Sequence, residues 1–308
     1  MSQDKETGTT GHVWDDDLRE ATNPLPNWWL WTFYITIVFA VVYWILYPAW
    51  PIGKTFTKGV GNNISYTAKA VDGKEVQKTT HWNMRAKLMH EMNEADAKQK
   101  VYFDKVAATP FEAVSKDAEL LQFVNSAGRT LFSDNCAPCH QAGGQGKIGF
   151  FPNLVDDSWI YGGTYEKIQE SITQGRHGIM PPFGGIVSDA EITQLASYVL
   201  SLSGEPADAA AAKAGDALFH GDKTGCSVCH GPDAKGKQEL GSANLTDKIW
   251  LWANVPGQDT ADKKLQEVKK VIAGGLNRGV MPVWGGRLKP EQIKLLTVYV
   301  HDSLGGGK

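Results

Sequence analysis

The four cysteines of this 308-residue chain all fall in two copies of one pattern, Cys136-Ala137-Pro138-Cys139-His140 and Cys226-Ser227-Val228-Cys229-His230. Cys-x-x-Cys-His is the spacing at which two thiolates add to the vinyl groups of a haem while the adjacent imidazole becomes an axial ligand to iron. The pattern predicts two covalently bound haem c groups, one on Cys136 and Cys139 with His140, one on Cys226 and Cys229 with His230. A methionine opposite the histidine raises the potential of an electron-carrying cytochrome c. Each copy offers one, in Gly178-Ile179-Met180-Pro181-Pro182-Phe183-Gly184-Gly185 and in Gly279-Val280-Met281-Pro282-Val283-Trp284-Gly285-Gly286. The expected iron ligands are His140 and Met180 for the first haem and His230 and Met281 for the second.

Two other readings compete for the cysteines. Paired Cys-x-x-Cys motifs also hold tetrahedral zinc, but 86 residues separate the two pairs here, well beyond ribbon or finger spacing. Two disulfides use the thiols equally well. Neither alternative explains the repeated histidine or the repeated Met-Pro.

The repeat extends to the elements that must position these groups. Tyr198 and Tyr299 each lie 18 residues beyond the methionine, whereas the methionine follows its histidine by 40 residues in the first copy and 51 in the second. Constant ends around a loop of variable length are what two copies of one fold should show. A first helix is expected from Ala118 to Phe132. The last helices are marked by a capping box at Ser188 to Glu191 and by Pro290 in the first turn before Glu291 to Ser303. Leu195, Tyr198 and Val199, and likewise Leu295, Val298 and Tyr299, fall on one helical face. Only Ser203-Gly204-Glu205-Pro206-Ala207-Asp208 separates the copies, so the two haem domains are expected in contact.

Arg176 and Arg278 precede the methionines and suit haem propionates, with solvated surface arginines as the competing reading. His177 is a rival to Met180 as ligand, disfavoured by the matching Met-Pro of both copies. His220 and His301 read as surface or packing residues.

At the other end, Trp28 to Tyr47 is a 20-residue run without a charge, long enough to cross a bilayer as a helix. Trp28, Trp29 and Trp31 crowd one end and Tyr43, Trp44, Tyr47 and Trp50 the other, as interfacial belts do. A signal peptide would have a basic start, not Asp15-Asp16-Asp17, and a shorter apolar core. The reading is a retained single-pass anchor with no ionisable group suited to carry protons. Arg19 before it and Lys54 and Lys58 after it weakly favour the opposite orientation. Covalent haem attachment is a periplasmic process in bacteria, so an N-terminus in the cytoplasm and periplasmic haem domains are expected, in the inner membrane. A net charge of −3 gives no nucleic-acid bias.

The segment Asn23-Pro24-Leu25-Pro26-Asn27-Trp28-Trp29-Leu30-Trp31-Thr32-Phe33-Tyr34, continuing to Tyr47-Pro48-Ala49-Trp50-Pro51 and preceded by Trp14-Asp15-Asp16-Asp17-Leu18-Arg19-Glu20, carries a more specific likeness. With two haem motifs downstream, it resembles the dihaem P subunit (subunit III) of the cbb3-type cytochrome c oxidases, the haem-copper oxidases of high oxygen affinity. The resemblance implies an electron-transfer subunit that is not catalytic alone, with a catalytic haem-copper subunit, a monohaem cytochrome c subunit and a donor c-type cytochrome as partners. The repeats also resemble c-type cytochromes at large. There a glycine of the first helix admits the last helix, so Gly128 is expected against Tyr198 and Gly215 against Tyr299. The carbonyl at Pro152, matched by Ala243, is expected to accept from the proximal imidazole. A free-standing anchored dihaem shuttle and a dihaem peroxidase, which requires an open iron position, are the competing functions.

The expected fold is mainly α, with one N-terminal transmembrane helix followed by two tandem class I cytochrome c domains. The boundaries read as a cytoplasmic tail at 1–27, the anchor at 28–50, a linker with an amphipathic helix at 51–118, and haem domains at 119–203 and 209–304. Within that linker, Ile52 onward reads as extended chain, Trp82 to about Val106 as a helix, and His81, Met84, Met89, His90 and Met92 as one packed face, with copper binding the rarer alternative.

Overall fold

The computed structural model describes residues 8–61, 63–277 and 279–305. The chain divides into two units, Met1–Lys98 and Gln99–Lys308.

In the first unit, β1 (Thr9–Trp14) and β2 (Leu18–Ala21) form an antiparallel hairpin. Asp15 and Asp16 make its turn at φ 48° and 65°, a left-handed conformation that short polar side chains tolerate. Helix α1 (Asn27–Leu46) follows Pro26 and is apolar on every side, with no buried residue. Its 20 residues span about 30 Å at 1.5 Å per residue, the thickness of a bilayer core. Short strands β3 (Pro51–Ile52) and β4 (Thr55–Phe56) pair next. Then β5 (Asn63–Lys69) and β6 (Glu75–His81) pair in unbroken antiparallel register from Asn63↔His81 to Lys69↔Glu75. This corrects the expectation of extended linker chain. The signal was present in Asp72-Gly73, where Gly73 takes φ 81°, flanked by alternating Ile64, Tyr66 and Ala68.

Helix α2 (Met84–Ala108) starts where the Asn83 side chain accepts from the Ala86 N–H at 2.9 Å, and the boundary between the units falls within it. In the second unit come α3 (Phe111–Val114), α4 (Ala118–Asn135), α5 (Ala137–His140), α6 (Tyr165–Gln174), β7 (Ile179–Met180) and α7 (Asp189–Leu202). They are followed by α8 (Ala209–His220), α9 (Cys226–His230), α10 (Ala261–Gly274), β8 (Leu276–Asn277) and α11 (Pro290–Val298), which ends in a wider π-type turn at Tyr299–Ser303. Asp117, Thr164, Ser188, Asp208 and Thr260 cap the starts of α4, α6, α7, α8 and α10 through side-chain oxygens. At α7 the capping box is complete: Ser188 and Glu191 each satisfy the other's backbone N–H.

These helices bury two separate cores, and the cores do not follow the repeats. Leu120, Val124 and Phe132 of α4 pack with Ile168 and Ile172 of α6 and with Leu295, Leu296 and Val298 of α11. Leu195, Val199 and Leu200 of α7 pack with Phe219 of α8 and with Val268 and Ile272 of α10. Phe132 and Phe219 are almost fully buried, each stabilising its core by about 1.5–3 kcal/mol. The last helix of each repeat therefore lies on the first helix of the other. Residues from about 180 to 275 form one lobe as a continuous stretch, and the chain before and after closes the other.

The exchange happens at β7 and β8, which pair antiparallel with Met180 opposite Leu276 and Ile179 opposite Asn277. Beside them Arg176 N donates to the Met281 carbonyl at 3.2 Å and Met281 N to the Arg176 carbonyl at 2.8 Å. The expected haem-domain boundaries at 119–203 and 209–304 are thus crossed by the packing, and Ser203 to Asp208 is a turn inside one lobe instead of a connection between two. The physical reason is the shortness of that segment, which leaves α7 and α8 as neighbouring helices of one hairpin.

Candidate functional site

Each Cys-x-x-Cys-His sits on a single helical turn that ends in a tight reversal, so its two thiols and its imidazole face one space. After His140 the chain turns at Gln141 (φ 64°), and after His230 at Gly231 (φ 81°). His140 Nδ1 donates to the Pro152 carbonyl at 2.9 Å, and His230 Nδ1 donates to the Ala243 carbonyl at 2.9 Å. With Nδ1 engaged, Nε2 carries the lone pair, which is the tautomer an iron ligand needs. Burial lowers the pKa of both imidazoles against the opposing pull of these hydrogen bonds, which favours the neutral, ligating form. Burial also pushes the Cys136 thiol up to about 11 and raises Cys226.

All four cysteines, both histidines, Met180 and Met281 line a cavity of about 950 Å³. Its walls are largely apolar, among them Phe132, Leu154, Trp159, Ile172, Phe183, Val199, Phe219, Leu245 and Leu296. The residues fit haem c on one further observation. Trp250 Nε1 is buried with no hydrogen-bond partner among the described residues, on a side chain that also lines this cavity. Its counterpart in the first repeat, Trp159, donates to the Asp156 carbonyl at 3.1 Å.

Those two tryptophans were missed by the reading of the sequence, although they close a second repeated motif. It runs Asn153-Leu154-Val155-Asp156-Asp157-Ser158-Trp159 and Asn244-Leu245-Thr246-Asp247-Lys248-Ile249-Trp250. Asn153 and Asn244 turn the chain by accepting from the N–H two residues on, at 3.0 and 2.9 Å. Asp156 and Asp247 line the cavity at matching places, and burial raises the pKa of both carboxyls.

The methionines are not where the repeats alone would put them. Met281 packs with Cys136, Leu154 and Trp159 against the core of α4, α6 and α11. Met180 packs with Cys226, Leu245 and Trp250 against the core of α7, α8 and α10. The expected ligand pairs were Met180 with His140 and Met281 with His230, whereas each methionine packs in the apolar cluster that holds the first cysteine of the other repeat. The glycine contacts change partners too: Gly128 meets Tyr299 and Gly215 meets Tyr198, the reverse of expectation.

Arg176 lines the cavity with its guanidinium over the Tyr161 ring at 4.7 Å, paired with Glu170 at 3.0 Å and donating to Ser171 Oγ at 2.9 Å. Arg278 lies outside the described residues. His177 Nε2 hydrogen-bonds Asn277 Oδ1 at 2.9 Å. His220 bonds the Asp216 and Pro232 carbonyls, and His301 stacks on Tyr165. In the first unit, His90 bonds the Ser65 carbonyl and His81 packs on Phe56.

Comparison with known proteins follows the same division of the chain. Residues 6–54 match the family "N-terminal domain of cytochrome oxidase-cbb3, FixP". Residues 124–199 and 210–300 each match "Cytochrome C oxidase, cbb3-type, subunit III", so two cytochrome c modules stand in tandem along the sequence. The chain is 44% identical to the cbb3-type cytochrome c oxidase subunit FixP of Azorhizobium caulinodans, over 97% of this chain and 94% of that one. It is 42% identical to FixP of Bradyrhizobium sp. (strain ORS 278), with 98% and 96% covered, and 40% identical to CcoP of Azospirillum brasilense, with 97% and 96% covered. A repeated haem-attachment motif facing an apolar cavity, one apolar N-terminal helix and near full-length identity at this level place the chain in the FixP/CcoP family of cbb3-type cytochrome c oxidase subunits.

Proposed function

We propose that this chain carries two covalent haem c groups and relays single electrons from a donor c-type cytochrome toward the catalytic haem-copper subunit of a cbb3-type oxidase. The observation that carries the reading is the pair of Cys-x-x-Cys-His turns opening on one apolar cavity with two methionines in its wall. Bound haem supplies a one-electron iron couple, and everything else is done by the protein. Cys136, Cys139, Cys226 and Cys229 anchor the groups. His140 and His230 ligate, held in orientation by the carbonyls of Pro152 and Ala243. The methionines fill the remaining positions, and the apolar walls exclude water, which favours the less charged reduced state. Trp250 and Arg176, both in the cavity wall, are the candidates for propionate contact, Arg176 being also paired with Glu170.

Helix α1 anchors the chain in the bacterial inner membrane with its N-terminus in the cytoplasm and the haem lobes in the periplasm, beside a monohaem cytochrome c subunit. Extraction in mild detergent tests the reading. Co-purification with a complex that oxidises reduced cytochrome c supports it, whereas a red, low-spin chain with no oxidase attached indicates a free shuttle. A high-spin haem signals the open iron site of a peroxidase.

A further inference from the structure

We propose that the β3–β4 hairpin is a second membrane contact, lying in the headgroup layer beside the end of α1 and binding anionic phospholipid through Lys54 and Lys58. This rests on α1 crossing a bilayer and is independent of the haem reading. Helix α1 uses up the thickness of a bilayer core by Leu46, and the chain does not then leave the surface. It turns back between Pro51–Ile52 and Thr55–Phe56. Val60 N donates to the Ile45 carbonyl at 2.9 Å and Gly61 N to the Leu46 carbonyl at 3.2 Å, so the returning chain satisfies carbonyls that a helix end leaves open. Gly59 permits this approach, since its φ is 75° and a Cβ there would collide with the Leu46 carbonyl. Trp82 then packs on Tyr47 with ring centroids 4.4 Å apart, and His81 on Phe56 at 5.5 Å. The hairpin is therefore held at the level where α1 ends.

Its side chains suit that level. Trp50, Ile52, Phe56 and Val60 are 51%, 59%, 46% and 77% exposed, although all four are apolar. Lys54 in the turn and Lys58 after it are exposed too, and no acidic residue occurs between Glu20 and Asp72. Aromatic and aliphatic groups beside cations, with no acid in the segment, are the composition of chain that lies in an anionic interface. Register favours lipid over a protein partner. Phe56 stands opposite Pro51 and Thr55 opposite Ile52, so apolar groups emerge from both faces of the ribbon. One flat protein surface covers a single face, whereas fluid lipid wets both. The lysines after α1, which by charge alone favour the opposite orientation, thereby acquire a role separate from topology.

The test uses the isolated full chain in nanodiscs of phosphatidylcholine mixed with phosphatidylglycerol. Hydroxyl-radical footprinting by peptide mass spectrometry, normalised for intrinsic reactivity, is expected to find Trp50, Ile52 and Phe56 oxidised several-fold less than the exposed controls Val71 and Val76, and as little as Phe39 within α1. Native mass spectrometry of the same particles is expected to show phosphatidylglycerol retained in preference to phosphatidylcholine. Lys54→Gln/Lys58→Gln, at two exposed positions and with circular dichroism unchanged, is expected to lose that preference. Full oxidation of the hairpin in the isolated chain, with protection only in the assembled oxidase, assigns the surface to a protein partner and overturns the proposal. Equal retention of the two lipids by the parent chain overturns the role of the lysines. Oxidation of Phe39 as well would overturn the membrane reading of α1 and the proposal with it.

Discussion

Tyr299, at the end of the last helix, lies on Gly128 in the first helix of the other repeat, so close that a Cβ on the glycine would stand 2.9 Å from the tyrosine's own Cβ. Gly215 and Tyr198 repeat the contact, with the Tyr198 Cβ 2.8 Å away and the Gln194 carbonyl oxygen nearer still. Both lobes thus depend on a missing side chain at a helix crossing.

Gly128→Ala is expected to destabilise the first lobe by about 1–3 kcal/mol of overpacking, less about 1 kcal/mol regained from helix propensity. Gly215→Ala should cost more, because its nearest neighbour is backbone and cannot rotate away. Thermal unfolding followed at the haem absorbance and by circular dichroism ranks the two, and a smaller loss at Gly215 would contradict the packing described.

Asp302 closes the first lobe from the end of the chain. It accepts from Ser115 Oγ at 2.5 Å and from Tyr165 Oη at 2.9 Å, with His301 Nδ1 at 2.7 Å. Burial pushes its carboxyl up, yet these donors hold it below the ordinary range. Asp302→Ala should cost about 1.5–3 kcal/mol, the worth of hydrogen bonds to a charged group. Chemical denaturation with an unchanged slope and a lowered midpoint is the expected result.

The carboxyl of Glu191 is pulled down to about 2, first by the hydrogen bond from Lys223 and then by those from Ser188. A depressed folded-state pKa contributes stability that is fully present above the ordinary value of 4.5 and lost as pH falls through about 2. Glu191→Gln should therefore lose less stability than the parent chain between those limits, and melting temperatures measured across that range check the sign.

Trp250→Phe should separate the holoprotein from the apoprotein. The indole N–H has no partner among the described residues, so the haem-free chain loses only the packing of the larger ring against the second core. With a propionate as its acceptor, the haem-loaded chain loses about 1.5–3 kcal/mol more than the haem-free one, and the potential of that haem falls as the propionate's negative charge becomes less compensated. Unfolding of both forms, with a redox titration of the loaded one, reads this directly.

Much of this was legible in the residues. The haem signatures, the proximal carbonyls at Pro152 and Ala243, the capping box at Ser188 and the membrane-length helix rest on local patterns, and local chemistry decides them. The equal 2.9 Å bonds to Pro152 and Ala243 show why substitution there is silent: the acceptor is backbone. Partner choice was not legible. Gly128 fits Tyr198 or Tyr299 equally well, because the repeats carry the same residues at the same offsets, and only the length of Ser203 to Asp208 distinguishes nearest neighbours. Once α7 turns straight into α8, Tyr198 meets Gly215 and leaves Gly128 to Tyr299. Trp159 and Trp250 escaped notice because a lone tryptophan has no pattern until the preceding Asn-Leu-x-Asp is aligned between the copies.

The most direct measurement is intact-mass and peptide analysis of the purified full chain, with a pyridine haemochrome assay of the same sample. Two covalent haems per chain, one on the peptide with Cys136 and Cys139 and one on the peptide with Cys226 and Cys229, are predicted. A colourless chain whose cysteines are free, disulfide-bonded or bound to zinc would contradict the account.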